Sequence, residues 1–378
     1  MTRELKVLIA GTGFAGEGHA AAFRAAGATV VGIVGRTPHV VEEVAARLGI
    51  PHAGTDWEKA LEVCRPDIVS IATPGGAHDA QIRAAIAAGA HVFCDKPMTT
   101  TGPIAVELER LARERGIKTA YAASFRYTPS ILHAQRLIAE GAIGAPTEVE
   151  CISHFNLERN IPFGWSHRAA DGGGRLNNNF THTLSIVTAV LGDRILSVAG
   201  DVRDDLGRAP IVEGVHNFAT RRNFIPKDLD DPNLAWGESD VEWSYTVLAR
   251  IQSPLAERPV SAMFRHGGLV PRFQDDHIVF YGDTGAIYLK GHYGSGALHL
   301  HDGTGWREVP LPDDIAAAIP DVAGETEQCW HILAREFLRD IRGEEVPPYP
   351  TFRDGAVHQQ IIDVIRRNEA WVDVSALG

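Results

Sequence analysis

The chain has 378 residues, 44% hydrophobic and 22% charged, which is enough apolar material for two cores rather than one. Its 48 acidic and 36 basic residues leave a net charge of −12, and no block of basic residues is present. That balance excludes nucleic acid or an anionic membrane surface as partner, and no apolar run approaches the roughly 18 residues of a membrane span.

The opening MTRELKVLIAGTG runs straight into a strand with no apolar leader, so no secretory signal is expected. Four cysteines (Cys64, Cys94, Cys151, Cys329) lie far apart without CxxC spacing. A reducing, cytoplasmic setting is expected, with no structural zinc.

Short β-rich runs at Val7–Ala10, Val30–Val34, Ile68–Ala72, His91–Cys94 and Lys118–Ala122 alternate with Ala-rich helical stretches. That alternation predicts βαβ units and a parallel sheet covered on both faces. After the first run, Gly11, Gly13 and Gly16 form G-T-G-F-A-G between a strand and a helix. The first glycine permits a tight turn, the second lets backbone approach a diphosphate, and the third allows close helix–strand packing. The second strand ends Val34-Gly35-Arg36-Thr37, with no acid to hold ribose hydroxyls. An arginine and a hydroxyl there favour NADP, with NAD possible.

Beyond Phe125 the pattern changes. A helix over Ser130–Gly141 leads to a strand at Thr147–Phe155 and then to DGGGRLNNNFTH, residues 171–182. Within it, Phe180, Leu184, Val187 and Leu191 fall at the spacing of a helix core stripe, with Asn178, His182, Ser185 and Ala189 nearly opposite. Asn178 and His182 stand four apart and are expected within reach of each other. The stretch Asp204–Gly237 reads as a long surface excursion. From Glu242 the alternation is that of antiparallel β, and helices are expected over Glu325–Arg342 and Arg353–Trp371. The histidines His277, His292, His299 and His301 show no compact metal pattern and read as surface or core.

The segment IATPGGAHDAQIRAAIAAGAHVFCDKPM, residues 71–98, together with GTGFAG resembles the glucose–fructose oxidoreductase/inositol dehydrogenase (Gfo/Idh/MocA) family. The resemblance continues through Phe125-Arg126-Tyr127-Thr128-Pro129, RLIAEGAIG and the glycine run, and so covers nearly the whole chain. It implies an α/β fold: a Rossmann dinucleotide-binding domain over 1–124, then an α+β domain over 125–378 with a large, mostly antiparallel open sheet for substrate binding and oligomerisation. A homodimer or homotetramer follows from the same likeness. It also implies cofactor contacts from Gly11, Gly13, Phe14, Ala15, Gly16, Arg36, Thr37, Thr73, Pro74, His78, Asp95, Lys96 and Arg126.

The family's Glu-Lys-Pro is Asp95-Lys96-Pro97 here, and the resemblance makes Lys96 catalytic. A lysine at the carboxyl end of a parallel strand, fixed by a proline, points into the crevice where such sheets bind ligands. The family's GGG-x-x-x-D-x-G-x-H places its aspartate on Asn178 and its histidine on His182, which makes both candidates for catalysis and substrate binding. An asparagine cannot carry charge or relay a proton. The histidine's pKa is then expected to be lower than beside an acid, and Asn178 can bind a substrate oxygen that an aspartate would repel, a carboxylate or a carbonyl. His154, Asn156 and Trp165 are further substrate-binding candidates, and Arg159 or Arg168 can meet an anion.

The activity implied is NAD(P)-dependent hydride transfer to or from a hydroxyl/keto group of a sugar, cyclitol, related polyol or sugar acid. Two alternatives stay open: a closed-cycle redox glycosidase or lyase, and a non-catalytic nucleotide-gated sensor.

Overall fold

The computed structural model describes residues 4–271, 276–367 and 372–375. Six strands, β1 (Lys6–Ala10), β2 (Thr29–Val34), β3 (His52–Gly54), β4 (Ile68–Ile71), β5 (His91–Cys94) and β6 (Thr119–Tyr121), form one parallel sheet ordered β3-β2-β1-β4-β5-β6. Helices α1 (Phe14–Ala25), α2 (Pro38–Leu48), α3 (Trp57–Cys64), α4 (His78–Ala87) and α5 (Gly102–Glu114) connect them on both faces. Leu8, Ile9, Val69, Ile71, Val92 and Phe93 are wholly buried, as strands covered on both sides require. Five of these strands were legible in the apolar runs, whereas β3 offers only His-Ala-Gly. The order reverses between β1 and β4, which opens a crevice at their carboxyl ends.

The second half begins with α6 (Pro129–Ala139), β7 (Pro146–His154) and α7 (Thr181–Leu191). It continues through β8 (Arg194–Arg203), β9 (Arg208–Pro210), β10 (Trp236–Glu238), β11 (Ser244–Gln252) and β12 (Val260–Gly267). Then come β13 (His277–Gly282), β14 (Ala286–Lys290), β15 (Leu298–His301), β16 (Trp306–Val309), α8 (Asp313–Ala317), α9 (Glu325–Ile341), α10 (Phe352–Arg366) and β17 (Val372–Asp373). Nine strands make a sheet ordered β16-β15-β14-β13-β7-β12-β11-β8-β17, mostly antiparallel, with β7 and β12 parallel. The expected stripe Phe180, Leu184, Val187 and Leu191 is buried, and Phe180 meets Phe264 and Tyr245 edge-on at ring distances of 5.1 and 5.7 Å.

The excursion at 204–237 lies mostly at the surface, as expected, and β9 and β10 pair within it. Its middle reaches two parts of the chain: Phe218 lies on Trp165 at 5.2 Å, and His216 meets His39 of α2 at 5.8 Å. Contacts also cross residue 124. α9 and α10 return to the nucleotide domain, where a Cβ at Gly18 would collide with the Trp330 ring and the Gly102 amide donates to Asp363 at 2.6 Å. The last helix ends at Arg366 rather than Trp371, and residues 368–371 lie outside the described residues.

Several histidines are buried as neutral rings. Burial lowers His19, His167 and His358 from 6.5 to about 4. The unfolded chain binds protons at these positions below pH 6.5 and the folded chain does not, so their stabilising contribution is intact above 6.5 and is lost as pH falls toward 4. Each site then costs about 1.4 kcal/mol per pH unit. Thermal melts should fall steeply between pH 6.5 and 4.5, and a flat profile there would show these rings to be solvated.

Candidate active site

The glycine turn after β1 is shaped by neighbours on two sides. Gly11 has φ +114°, and a Cβ there would run into the Ala72 carbonyl at the end of β4. A Cβ at Gly16 would collide with the Gly11 carbonyl. A Cβ at Gly13 would meet nothing within 4 Å, so the approach to the α1 N-terminus is open where a diphosphate binds. Phe14 and Ala15 begin α1, and Phe14 rests on Trp330 with ring centroids 5.3 Å apart. Past β2, Arg36 is exposed and has no carboxylate partner among the described residues, and Thr37 stands at the N-cap of α2.

The turn after β5 is fastened from behind. His78 Nε2 lies 2.7 Å from the Thr73 carbonyl, and its Nδ1 lies 3.0 Å from the Pro97 carbonyl and 3.3 Å from Cys94 Sγ. Burial lowers its pKa. The neutral ring is satisfied with Nε2 donating to Thr73 and Nδ1 accepting from the thiol. His78 therefore ties the Thr73-Pro74 loop to the Asp95-Lys96-Pro97 turn, and both of its nitrogens are consumed in doing so. It is a strut beneath the crevice at the ends of β4 and β5. Asp95 accepts from the Lys96 amide at 2.8 Å, which leaves the lysine side chain pointing onward.

Three glycines in a row follow from three contacts on different sides. A Cβ at Gly172 (φ +77°) would press on Pro97 at 2.9 Å, and one at Gly173 would press on the Ser166 carbonyl at 2.7 Å. One at Gly174 (φ +91°) would strike the Glu242 carboxylate. Glu242 is buried, pairs with Arg366 at 3.0 Å and accepts the Leu176 amide at 2.8 Å. The segment is thus held between the lysine turn and an ion pair from the second domain.

The asparagines then form a π-helical turn, Leu176–Phe180, ahead of α7. Asn177 and Asn178 donate to the Gly173 and Gly174 carbonyls at 3.0 and 2.7 Å, each four residues back. With its NH2 so engaged, Asn178 turns Oδ1 toward Lys96, whose Nζ donates at 3.2 Å. An aspartate could accept from Lys96 but could not donate to Gly174. Asn179 is a buried hub: it donates to Tyr293 Oη at 3.1 Å and accepts from Tyr245 and from Ser153. Sequence reasoning gave Asn179 no role, and nothing in its position announced these distant partners.

His182 sits one turn further on, buried, with Phe125 edge-on at 4.7 Å and Tyr293 at 5.1 Å. Its Nδ1 has no hydrogen-bond partner among the described residues. Burial, then the charge of Lys96, drives its pKa well below 6.5, so the ring is neutral. Lys96 is itself lowered by burial, Asp95 opposing and Arg175 adding to the effect. Among the described residues Asn178 makes no hydrogen bond to His182, because its amide is engaged by Gly174 and Lys96.

Other candidates fall at varying distance from this centre. Arg126 is buried and donates from Nε to Ser185 at 2.9 Å and from Nη2 to Thr188 at 3.4 Å, which braces α7. His154 ends β7, its amide donating to Asp276 at 2.8 Å, and Asn156 follows with φ +46°, exposed. Trp165 lies half-buried under Phe218. Arg159 is spent on the Asp205 carbonyl and Arg168 on Asp171. Sequence reasoning missed Arg175, His266 and Tyr293, and it read His292 as surface or core. His292 is exposed, in keeping with that reading, and lies against Phe155 and Tyr293 at 4.8 and 4.0 Å. Arg175 was within the quoted glycine–asparagine stretch, and its adjacency to Gly174 was the available signal.

Comparison with known proteins now bears on this geometry. Residues 5–122 match a family described as an oxidoreductase family with an NAD-binding Rossmann fold, and residues 131–288 match the GFO/IDH/MocA C-terminal domain. The chain belongs to the Gfo/Idh/MocA family. A levoglucosan dehydrogenase of Pseudarthrobacter phenanthrenivorans is 28% identical over 203 residues, covering 50% of this chain and 52% of that protein. An uncharacterized oxidoreductase of Synechocystis is 28% identical over 99% of this chain and 97% of its own. Among solved structures, a levoglucosan dehydrogenase in complex with NADH and L-sorbose superposes with a TM-score of 0.82 at 22% identity, covering 99% of each chain. The chain spans about half the length of the first curated relatives it matches.

A Gfo/Idh/MocA nucleotide domain takes a nicotinamide dinucleotide, and the residues here fit one: the Gly13 approach is open, α1 presents its N-terminus, and Lys96 projects from the end of β5. No helix among the described residues is long and apolar enough to cross a membrane, and no group of three or more His, Cys, Asp or Glu there is disposed to hold a metal ion.

The Glu242–Arg366 pair yields a test of this architecture. Arg366→Met leaves a buried carboxylate uncompensated and should cost about 3 kcal/mol in denaturant unfolding. A loss below about 0.5 kcal/mol, the size of an ordinary surface change, would show that the pair does not anchor the segment.

Proposed function

We propose that the protein is an NAD(P)-dependent oxidoreductase that transfers hydride between the cofactor and a hydroxyl/keto carbon of a sugar, cyclitol, related polyol or sugar acid. The observation that carries this reading is Lys96, held on Asn178 at 3.2 Å at the carboxyl end of β5, with neutral His182 one turn away. The bound nicotinamide supplies or accepts the hydride. Lys96 donates a hydrogen bond to the reacting oxygen and stabilises the charge that develops on it. His182, neutral, takes the hydroxyl proton during oxidation and returns it during reduction. Its low pKa keeps it in the base form throughout the neutral range. The kinship with dehydrogenases supports the reaction class.

NADP is the favoured cofactor, supported by exposed, unpaired Arg36 beside Thr37 where a 2′-phosphate binds, with NAD the alternative. Four free, buried thiols support a cytoplasmic setting. Leu248, Tyr281 and Trp306 are exposed on strands of the large sheet, which supports a homodimer or homotetramer.

Two variants check the assignment. Lys96→Ala should lower turnover by about three orders of magnitude or more with NADP affinity nearly intact, and unchanged turnover would remove Lys96 from the chemistry. Arg36→Asp should shift the kcat/KM ratio from NADP toward NAD, and a constant ratio would refute its role on the phosphate. The activity itself is read as nicotinamide absorbance against sugars, cyclitols and sugar acids, with NADP and NAD in parallel. Tight NADP binding with no absorbance change on any of them would sink the dehydrogenase reading.

A further inference from the structure

We infer that the substrate of this site carries a carboxylate, and that Arg175 binds it. The inference rests on the oxidoreductase reading for the location of the site and names the chemical class of what enters it.

Arg175 is held by one nitrogen only. Its Nε donates to His266 Nε2 at 2.9 Å, and His266 Nδ1 lies 2.8 Å from Ser153 Oγ. Ser153 in turn donates to Asn179 Oδ1, which also accepts from Tyr245. Because His266 accepts from the arginine, it is neutral with its proton on Nδ1, in keeping with the strong lowering that burial imposes on it. This relay fixes the guanidinium plane while leaving both Nη amino groups without a hydrogen bond among the described residues, in accessible space. The ring of Phe155 lies 4.9 Å from the guanidinium carbon and closes one face. No carboxylate lies within 4 Å of the guanidinium among the described residues. A fixed, desolvated arginine with an open fork and no acid is matched to a planar, bidentate anion.

The surroundings agree. Lys96 accompanies Arg175 in the pocket and is lowered by burial and by the charge of Arg175, with Asp95 opposing. At the rim, Arg221 is held by Ser166 at 2.7 Å and lies over Phe218 at 3.8 Å, again with no acid partner among the described residues. Its guanidinium feels Arg175 as a neighbouring charge. The acids close at hand are engaged: Glu242 with Arg366, Asp95 with the Lys96 amide, Asp276 with the His154 amide and His292. Position 178, where the family's motif has an aspartate, holds an uncharged amide. Among the described residues these acids each have a partner, although the chain as a whole carries a net charge of −12. A carboxylate would satisfy Arg175 and offset the cost of keeping that cation out of water.

The test uses the full-length protein loaded with NADPH and pairs of probes that differ by one acid: D-gluconate against D-sorbitol, D-galactonate against galactitol, D-glucuronate against D-glucose. Calorimetric titration should show at least one acid binding about tenfold or more tightly than its neutral partner, with affinity falling as salt rises. Arg175→Met should bring that ratio close to one while NADPH affinity and melting temperature are retained. Arg175→Lys separates charge from support, since it loses the His266 bond but should keep part of the preference. Equal binding of acid and neutral partners, binding of neither, or a preference that survives Arg175→Met would each overturn the inference. Nicotinamide absorbance on the same pairs, with oxidised NADP or NAD as the hydride acceptor, keeps the two readings apart. Turnover of neutral partners alone sinks the carboxylate and leaves the oxidoreductase, whereas tight acid binding without turnover of any pair sinks the oxidoreductase and leaves the anion site.

Discussion

Glu242 and Arg366 stand 124 residues apart in the second half of the chain, and their buried ion pair decides where the reacting groups stand. Glu242 accepts the Leu176 amide, its backbone carbonyl accepts the Arg175 amide at 2.9 Å, and its carboxylate leaves no room for a side chain at Gly174. The glycine run is thereby pressed against Pro97. The carbonyls of Gly173 and Gly174 are aimed at the two asparagine amides, and Asn178 is delivered to Lys96. Removing either partner would leave a buried charge, so the arrangement is all-or-none in a way a set of surface contacts is not.

From that constraint follows the electrostatic character of the pocket. Asn178 gives Lys96 a hydrogen bond but no counter-charge, and burial therefore lowers the lysine instead of its being held up by an ion pair. His182 is pushed the same way, which makes it a base that never needs to be unprotonated by a partner. Arg175 keeps its charge for want of any accessible way to lose it. The pocket has a fixed positive field and neutral proton-transfer groups. It suits a reaction in which negative charge develops on oxygen beside a substrate that already carries charge.

The nucleotide half was read from sequence almost entirely, because continuous apolar strands, alternating helices and a glycine turn are local signals. β3 escaped because three residues carry no period. The site was legible only where a motif fixed it: Lys96 by the strand and proline around it, His182 by the glycine run before it. Arg126 and His78 share those motifs, and their partners, Ser185 and Thr188 for one and the Thr73 and Pro97 carbonyls for the other, could not be read from the sequence pattern. Asn179, Arg175 and His266 act through partners 26 to 114 residues distant, so their roles exist only in the fold. Asn178 bonds Lys96 and Gly174 from a π turn that a reading based on regular helix spacing does not contain.

The most direct measurement is the acid-to-neutral ratio of kcat/KM for Asn178→Asp against the parent. An aspartate at 178 would pair with Lys96, cancel the positive field and repel a carboxylate. The account predicts that the ratio drops by about tenfold or more, with the neutral partner gaining. An unchanged ratio, with turnover intact, would contradict the claim that the amide at this position selects a charged substrate.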